Sequence, residues 1–133
     1  MKRLTAAWVR KAEADYRLAV KLGRGREPFH DQICFHCQQA AEKYLKALME
    51  ELGLPIPRTH NLVALLPLLA PHYASLRAFR RGMDFLTRFA VDTRYPGDWA
   101  GKRQSQASLR WAERVRTECR SLLGIKPPRR RKK

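Results

Sequence analysis

Acidic residues are scarce in this chain of 133 residues. It has 12 Asp and Glu against 28 Lys and Arg, which gives a formal net charge of +16. A charge so far from zero favours a polyanionic partner or an acidic protein partner, and nucleic acid is the leading candidate. The alternative is a basic surface that serves only solubility in an arginine-rich composition.

Long apolar runs and cysteines are also few. No stretch of about 18 apolar residues is present, and the start of the chain lacks the order of basic, apolar and small residues found in signal peptides. Three cysteines, an odd number, fit a reduced compartment better than a disulfide framework. We therefore predict a cytoplasmic protein with no membrane association.

Several catalytic signatures are missing as well. We find no phosphate-binding glycine loop, no paired carboxylates and no Ser-His-Asp arrangement at a convincing spacing. We therefore predict no cofactor, and the sequence leaves open whether the protein is an enzyme.

The chain does have strong helical periodicity. Apolar residues recur at three-and-four spacing from Ile33 to Leu52, and Gly53 supplies a helix stop. In the same segment, Glu42 and Lys46 are spaced as an exposed ion pair. The predicted helices cover about residues 5–22, 29–52, 61–66, 73–92 and 102–123. They predict an all-α fold, an antiparallel up-and-down bundle of four to five helices over residues 1–125.

Local signals set the expected ends of these helices. Thr5 is the expected cap of the first helix, and Thr59 that of the short third helix, which Pro67 and Pro71 should limit. Residues 126–133 read KPPRRRKK and carry six positive charges. Because this segment has no apolar surface to bury, we predict a disordered basic tail.

The Cys34-Phe-His-Cys37 segment invites a zinc or redox interpretation. It lies inside a predicted continuous helix, however, and no second ligand pair follows it. We predict packed cysteines with no metal, and a hydrogen-bonded structural role for His36.

Four motifs together point to a family. They are WVRKAEADY at 8–16, FHCQQAAEKYLKA at 35–47, RTHNLVALL at 58–66 and TRYP at 93–96. In these motifs the chain resembles the HEPN domain family. The resemblance implies a dimerising helical bundle beside or fused to a minimal nucleotidyltransferase, often as a toxin and antitoxin pair. In such pairs the HEPN member is an RNase or a substrate-binding subunit.

The resemblance also shows where this chain departs from the catalytic members. Those carry an arginine followed, after four to six residues, by a histidine at the dimer groove. No histidine follows Arg94 in this way, which argues against RNase activity. Arg24 and His30 match the spacing literally, but they lie outside the family's position for the motif, and we attribute the match to chance.

A basic and aromatic patch is the predicted binding site. Thr59 and His60 stand at a helix start, where a ligand contact and plain capping are both open. Three arginines of the last helix share one side, and their adjacency to Arg94, Tyr95 and Trp99 favours a surface that holds phosphates and stacks bases. The candidate nucleotide- or RNA-binding residues are Arg94, Tyr95, Thr59, His60, Arg103, Arg110 and Arg114.

The functional hypothesis is a homodimeric nucleotide- or RNA-binding subunit that works with a minimal nucleotidyltransferase. Two alternatives stay open. One is a metal-independent RNase toxin that uses Arg94 with an unrecognised base. The other is a purely structural partner subunit.

Overall fold

The structure is a computed structural model that describes residues 1–92 and 96–127. A 3₁₀ segment covers Ala74–Phe79, and the described part of the chain contains no strand. The helices are α1 (Arg3–Arg24), α2 (His30–Leu52), α3 (Leu62–Leu69), α4 (Arg80–Asp92) and α5 (Lys102–Leu122). The predicted all-α fold is confirmed.

The first two helices form an antiparallel hairpin. Thr5 Oγ1 donates to Glu51 Oε1 over 3.0 Å, so the start of α1 lies beside the end of α2. Thr5 was expected to cap α1, and that prediction is wrong, because α1 already begins at Arg3 and Thr5 is fully buried. Its hydroxyl joins two helices instead of closing one.

The last helix runs parallel to α2. His30 contacts Ser105 at the start of both helices, and Arg120 contacts Tyr44 further along both. The direction of α4 is opposite to that of α5, since Ser75, just before α4, bonds Glu118 near the end of α5. The long helices α1, α2, α4 and α5 therefore alternate in direction along the chain, as predicted.

The central helix of the bundle is α2, which contacts all four other helices. Tyr44, Leu45, Leu48 and Met49 on it are fully buried. Each such side chain removed from water contributes about 1.5–3 kcal/mol of transfer free energy. The broad apolar surface of α2 follows from its central position.

Two predicted boundaries are wrong. The fourth helix was expected from residue 73, but 3₁₀ turns occupy Ala74–Phe79 before α4. With three residues per turn, Leu76 and Phe79 lie on the same side, and both are turned toward the core. The third helix continues through Pro67 to Leu69, because burial of its leucines outweighs the single backbone hydrogen bond that a proline removes.

A close contact joins α4 to α5. A Cβ added at Gly82 would lie 2.2 Å from Cε3 of Trp111, so the indole lies against the glycine backbone. Among the described residues, no helix is long and apolar enough to cross a membrane.

Candidate functional site

The most conspicuous candidate side chain is His60, which lies in the connection just before α3. Its side chain is 76% exposed, yet its Nδ1 lies 2.9 Å from Oε1 of the buried Glu42. An exposed side chain would ordinarily sample several rotamers. A buried carboxylate instead holds this imidazole in one orientation.

The carboxylate of Glu42 is itself held from two sides. Lys46 Nζ donates to Oε2 over 3.1 Å, and Gln38 Nε2 donates to Oε1 over 3.2 Å. Gln38 also donates to the carbonyl oxygen of His60 over 2.8 Å. Both the ring and the backbone of His60 are therefore fixed by α2. We call Gln38, Glu42, Lys46 and His60 the His60 network.

The burial of this network is its second unusual feature. The side chains of Glu42 and Lys46 are 5% and 8% exposed, so the prediction of a solvent-exposed pair is wrong. The sequence carried a signal for this, since Gln38 and Glu42 occupy the same helical face as the buried Cys34 and Leu45. Burying an ion pair costs several kcal/mol of desolvation per ion, which its mutual attraction only partly offsets.

The arrangement determines what His60 can do chemically. Nδ1 donates to the carboxylate, so Nε2 is the nitrogen available to a ligand. In the neutral ring Nε2 accepts a proton or a hydrogen bond, and in the protonated ring it donates to an anion. The same geometry therefore serves a phosphate contact or a general base.

The start of α3 differs from the prediction that Thr59 caps it. Asn61 is the N-cap, and its Oδ1 accepts from Val63 N over 3.1 Å. Thr59 Oγ1 accepts from Asn61 N, which braces the turn ahead of the helix. A further donor, Leu62 N, is satisfied by Thr87 Oγ1 on α4. The side chains of Thr59 and Asn61 thus order the turn that presents His60.

The three arginines of the predicted ridge all lie on α5 and are exposed. Arg103, Arg110 and Arg114 lie along this helix, and the Arg114 guanidinium carbon lies 4.9 Å from the centroid of the Trp111 ring. A cation over an indole is attracted to the negative face of the ring. Within the described residues no hydrogen bond or ion pair joins this ridge to His60.

Two of the predicted patch residues, Arg94 and Tyr95, lie outside the described residues. Trp99, which should neighbour them, is 77% exposed. The predicted joining of the α5 ridge to these residues therefore stays a prediction.

A second polar network escaped prediction. Arg116 on α5 donates to both carboxylate oxygens of Glu13 on α1, and the hydroxyl of the buried Tyr44 on α2 donates to the same carboxylate. Burial alone would raise the pKa of Glu13, but hydrogen bonds from Arg116 and Tyr44 outweigh it and hold that pKa below its ordinary value. The network joins three helices.

Cys34 and Cys37 are packed in the core and His36 is hydrogen-bonded, as predicted. Cys34 and Cys37 are fully buried, and burial raises the pKa of both thiols. His36 Nδ1 lies 2.8 Å from Asp15 Oδ1, and Lys43 pairs with the same carboxylate. Over residues 1–92 and 96–127, no group of three or more His, Cys, Asp or Glu could hold a metal ion.

The fold is that of a small helical-bundle protein, and comparisons identify the family. The model of the HEPN domain matches residues 5–122. The chain belongs to the HEPN domain family. A comparison with curated proteins gave no significant match.

Two solved structures resemble the chain. The crystal structure of TT1696 from Thermus thermophilus superposes with a TM-score of 0.76 at 24% identity, covering 91% of this chain and 98% of that one. The crystal structure of ST0689, an archaeal HEPN homologue, gives a TM-score of 0.70 at 25% identity, covering 95% of this chain and 100% of that one. The likeness to TT1696 supports the fold alone.

Proposed function

We propose that the protein is a nucleotide- or RNA-binding HEPN subunit that contacts its ligand through His60. The observation that carries this proposal is the His60 network, in which a buried carboxylate, amide and lysine fix one exposed imidazole. A polar network in a core costs desolvation free energy. Of the four residues in this network, only His60 has a solvent-exposed side chain. A ligand contact is the use that such preorganisation serves best.

The charge of the chain supports a polyanionic ligand. With a net charge of +16, the surface attracts phosphates over a distance set by salt. His60 would then add a local hydrogen bond to this general attraction. The α5 arginines would extend the path of a longer RNA.

Fluorescence anisotropy with a short labelled RNA tests the proposal. His60→Ala should weaken binding about tenfold, which corresponds to the loss of about 1.4 kcal/mol and to one charge-assisted hydrogen bond. The substitution should leave the fold intact, because the His60 side chain is exposed and Glu42 keeps its hydrogen bonds from Lys46 and Gln38. His72→Ala is the matched control, since His72 is an exposed histidine elsewhere on the chain. Equal affinities for wild type and His60→Ala would contradict a role for His60.

The partners belong to the same proposal. Family members commonly dimerise and accompany a minimal nucleotidyltransferase, often as a toxin-antitoxin pair, and we propose both associations here. Sedimentation at tens of micromolar should give a homodimer, because a specific interface persists at that concentration. The association with a nucleotidyltransferase would be supported by a small nucleotidyltransferase in the neighbouring reading frame and by its co-purification with this chain. Tight partner binding without any RNA or nucleotide affinity would favour the purely structural role.

A metal-independent RNase is the second candidate, and the geometry of His60 favours it. A carboxylate that holds Nδ1 leaves Nε2 able to take a proton from a ribose 2′-hydroxyl. The binding role ranks first because no histidine follows Arg94 at the spacing of catalytic members. We expect little or no cleavage when the protein is incubated with mixed RNA in EDTA. Robust cleavage abolished by His60→Ala or Arg94→Ala would place the enzyme first.

A further inference from the structure

The outward side of α1 carries a column of arginines. Its members stand seven residues apart and all are exposed: Arg3, Arg10, Arg17 and Arg24. Seven residues make nearly two helical turns, so successive arginines are about 10.5 Å apart along the axis and drift by only about 20° around it. The column therefore follows the whole length of the helix on one side.

These arginines have no partner within the bundle. Over residues 1–92 and 96–127, none of the four guanidinium groups makes a hydrogen bond or an ion pair. The two carboxylates of α1 are Glu13, which pairs with Arg116, and Asp15, which pairs with Lys43. Both are turned toward other helices. The outward side of α1 therefore has positive charge that no carboxylate of the same helix balances.

The rest of this side is apolar or small. Leu4 and Leu18 are 63% and 40% exposed, and they stand two heptads apart. Around the helix, Ala7 and Ala14 lie between the leucines and the arginines. Small side chains at this position let a second helix approach closely. We call the arginine column together with Leu4, Ala7, Ala14 and Leu18 the outer face of α1.

We propose that the outer face of α1 docks an acidic amphipathic helix of another protein. Glutamates at heptad spacing on that helix would pair with the arginine column, and its leucines would cover Leu4 and Leu18. A second copy of this chain is disfavoured as the occupant, because two faces of the same positive charge would meet. The phosphates of an RNA would also attract the arginines, but they would leave both leucines uncovered. The inference is independent of the ligand proposed at His60, because the two surfaces share no residue.

Fluorescence anisotropy with a labelled acidic peptide tests the proposal. The probe is as long as α1 and repeats leucine and glutamate at heptad spacing, and its control has the same composition without that spacing. The full chain should bind the probe saturably and the control peptide about tenfold more weakly, because both peptides carry the same charge but only the probe forms an apolar stripe.

Variants of the outer face locate the binding. Arg10→Gln combined with Arg17→Gln should weaken binding of the probe about tenfold through the loss of two ion pairs. Leu18→Gln should weaken it about fivefold without a change of charge, because apolar contact is lost. Arg77→Gln combined with Arg81→Gln is the matched control, since it removes two exposed cations outside α1, and it should change the affinity less than about twofold. All these positions except Leu18 are exposed arginines, and the unfolding midpoint of each variant checks that the fold is kept.

Three results would overturn the proposal. One is equal affinity for the probe and the control peptide, and another is equal weakening by the two double arginine variants. The third is an affinity for the probe that Leu18→Gln leaves unchanged, because attraction would then rest on charge alone. Short RNA and phosphatidylserine vesicles are titrated in parallel. If the outer-face variants weaken binding of RNA or vesicles and not that of the probe, the face belongs to that ligand and the proposal is wrong.

Discussion

Glu13 shows how a single carboxylate can join three helices. It lies on α1 and accepts from Arg116 on α5 and from Tyr44 on α2. Burial works to raise the pKa of Glu13, but hydrogen bonding to its charged form outweighs burial and holds that pKa below its ordinary value. Folding stability therefore depends on this group being ionised.

The pH dependence of stability should reveal this coupling. A carboxyl with a lowered pKa contributes stability above its unfolded pKa, which is about 4.3, and this contribution is lost as the pH falls through the folded pKa. We expect Glu13→Gln to cost about 1–3 kcal/mol at pH 7. The difference from wild type should shrink as the pH falls from 5 toward 3.

Urea denaturation of both proteins at pH 7, 5, 4 and 3 provides the measurement. Glu113→Gln is the control, because Glu113 is an exposed carboxylate on α5. A Glu13→Gln variant whose deficit stays constant over this range would show that the ionised carboxylate does not carry the effect.

At this scale the sequence predicted some roles and missed others. Burial of Cys34 and Cys37 followed from their place in an apolar helix, and the structural role of His36 was also predicted. The partners of Glu42 and Glu13 were missed, because they are brought together by tertiary packing. Spacing along one helix indicates which residues share a face, but it does not indicate which polar residues on that face are covered by another helix.

At the scale of the helices, the contact between α4 and α5 at Gly82 is too close for any side chain larger than that of glycine. Alanine in place of glycine usually stabilises a helix interior by about 0.5–1 kcal/mol. At Gly82 the same substitution should instead destabilise the protein, because three ring atoms of Trp111 lie within 2.6 Å of the added Cβ. We expect Gly82→Ala to cost about 1–3 kcal/mol through overpacking.

Chemical denaturation of Gly82→Ala and of the double variant with Trp111→Leu tests this reason. Trp111→Leu should be less harmful in the Gly82→Ala background than in wild type, since the smaller side chain removes the clash. Arg81→Ala, at an exposed neighbour, should change stability by less than about 0.5 kcal/mol. Additive effects of the two substitutions would contradict a direct steric contact.

The start of α3 gives a second prediction for an element. Asn61→Ala should cost about 1 kcal/mol, because Val63 N loses the acceptor that closes the first turn. Asn61→Asp should retain most of the stability, since its carboxylate can accept the same bond. Thermal denaturation of both variants would decide the matter, and equal losses for alanine and aspartate would argue against capping.

Helix existence was predictable and helix ends were less so. The three-and-four spacing of apolar residues indicated each long helix. The 3₁₀ turns of Ala74–Phe79 were missed, because their apolar residues also suit an α-helix. Thr5 and Thr59 carry good capping side chains, but tertiary partners and Asn61 decide where the helices begin.

For the whole molecule, the dominant property is positive charge. Six of the charges lie in residues 126–133. Removal of this segment should leave the unfolding midpoint unchanged, while RNA affinity falls and its dependence on salt becomes less steep. Anisotropy titrations at low and at high salt, with and without the segment, measure the slope. An identical slope would show that these residues do not contact the RNA.

The alternation of helix direction was predictable from the short connections between long helices. The close packing of α2 against α5 was not, because nothing in the sequence ranks pairs of helices. The joining of the α5 arginines to Arg94 and Tyr95 also remains a prediction. Which basic residues form one surface depends on the arrangement of whole helices.

The reactivity of the three fully buried cysteines can show when helices separate from the bundle. Cys34 and Cys37 lie on the central helix, whereas Cys119 lies near the end of α5. A thiol reagent added to the native protein should react only when a helix detaches, because each sulfur is shielded and burial raises its pKa. The Cys34 sulfur accepts from Ser108 on α5, so modification of Cys119 and Cys34 ahead of Cys37 would mean that α5 separates from the bundle before the whole chain unfolds. Equal rates would mean that the bundle opens as one cooperative unit.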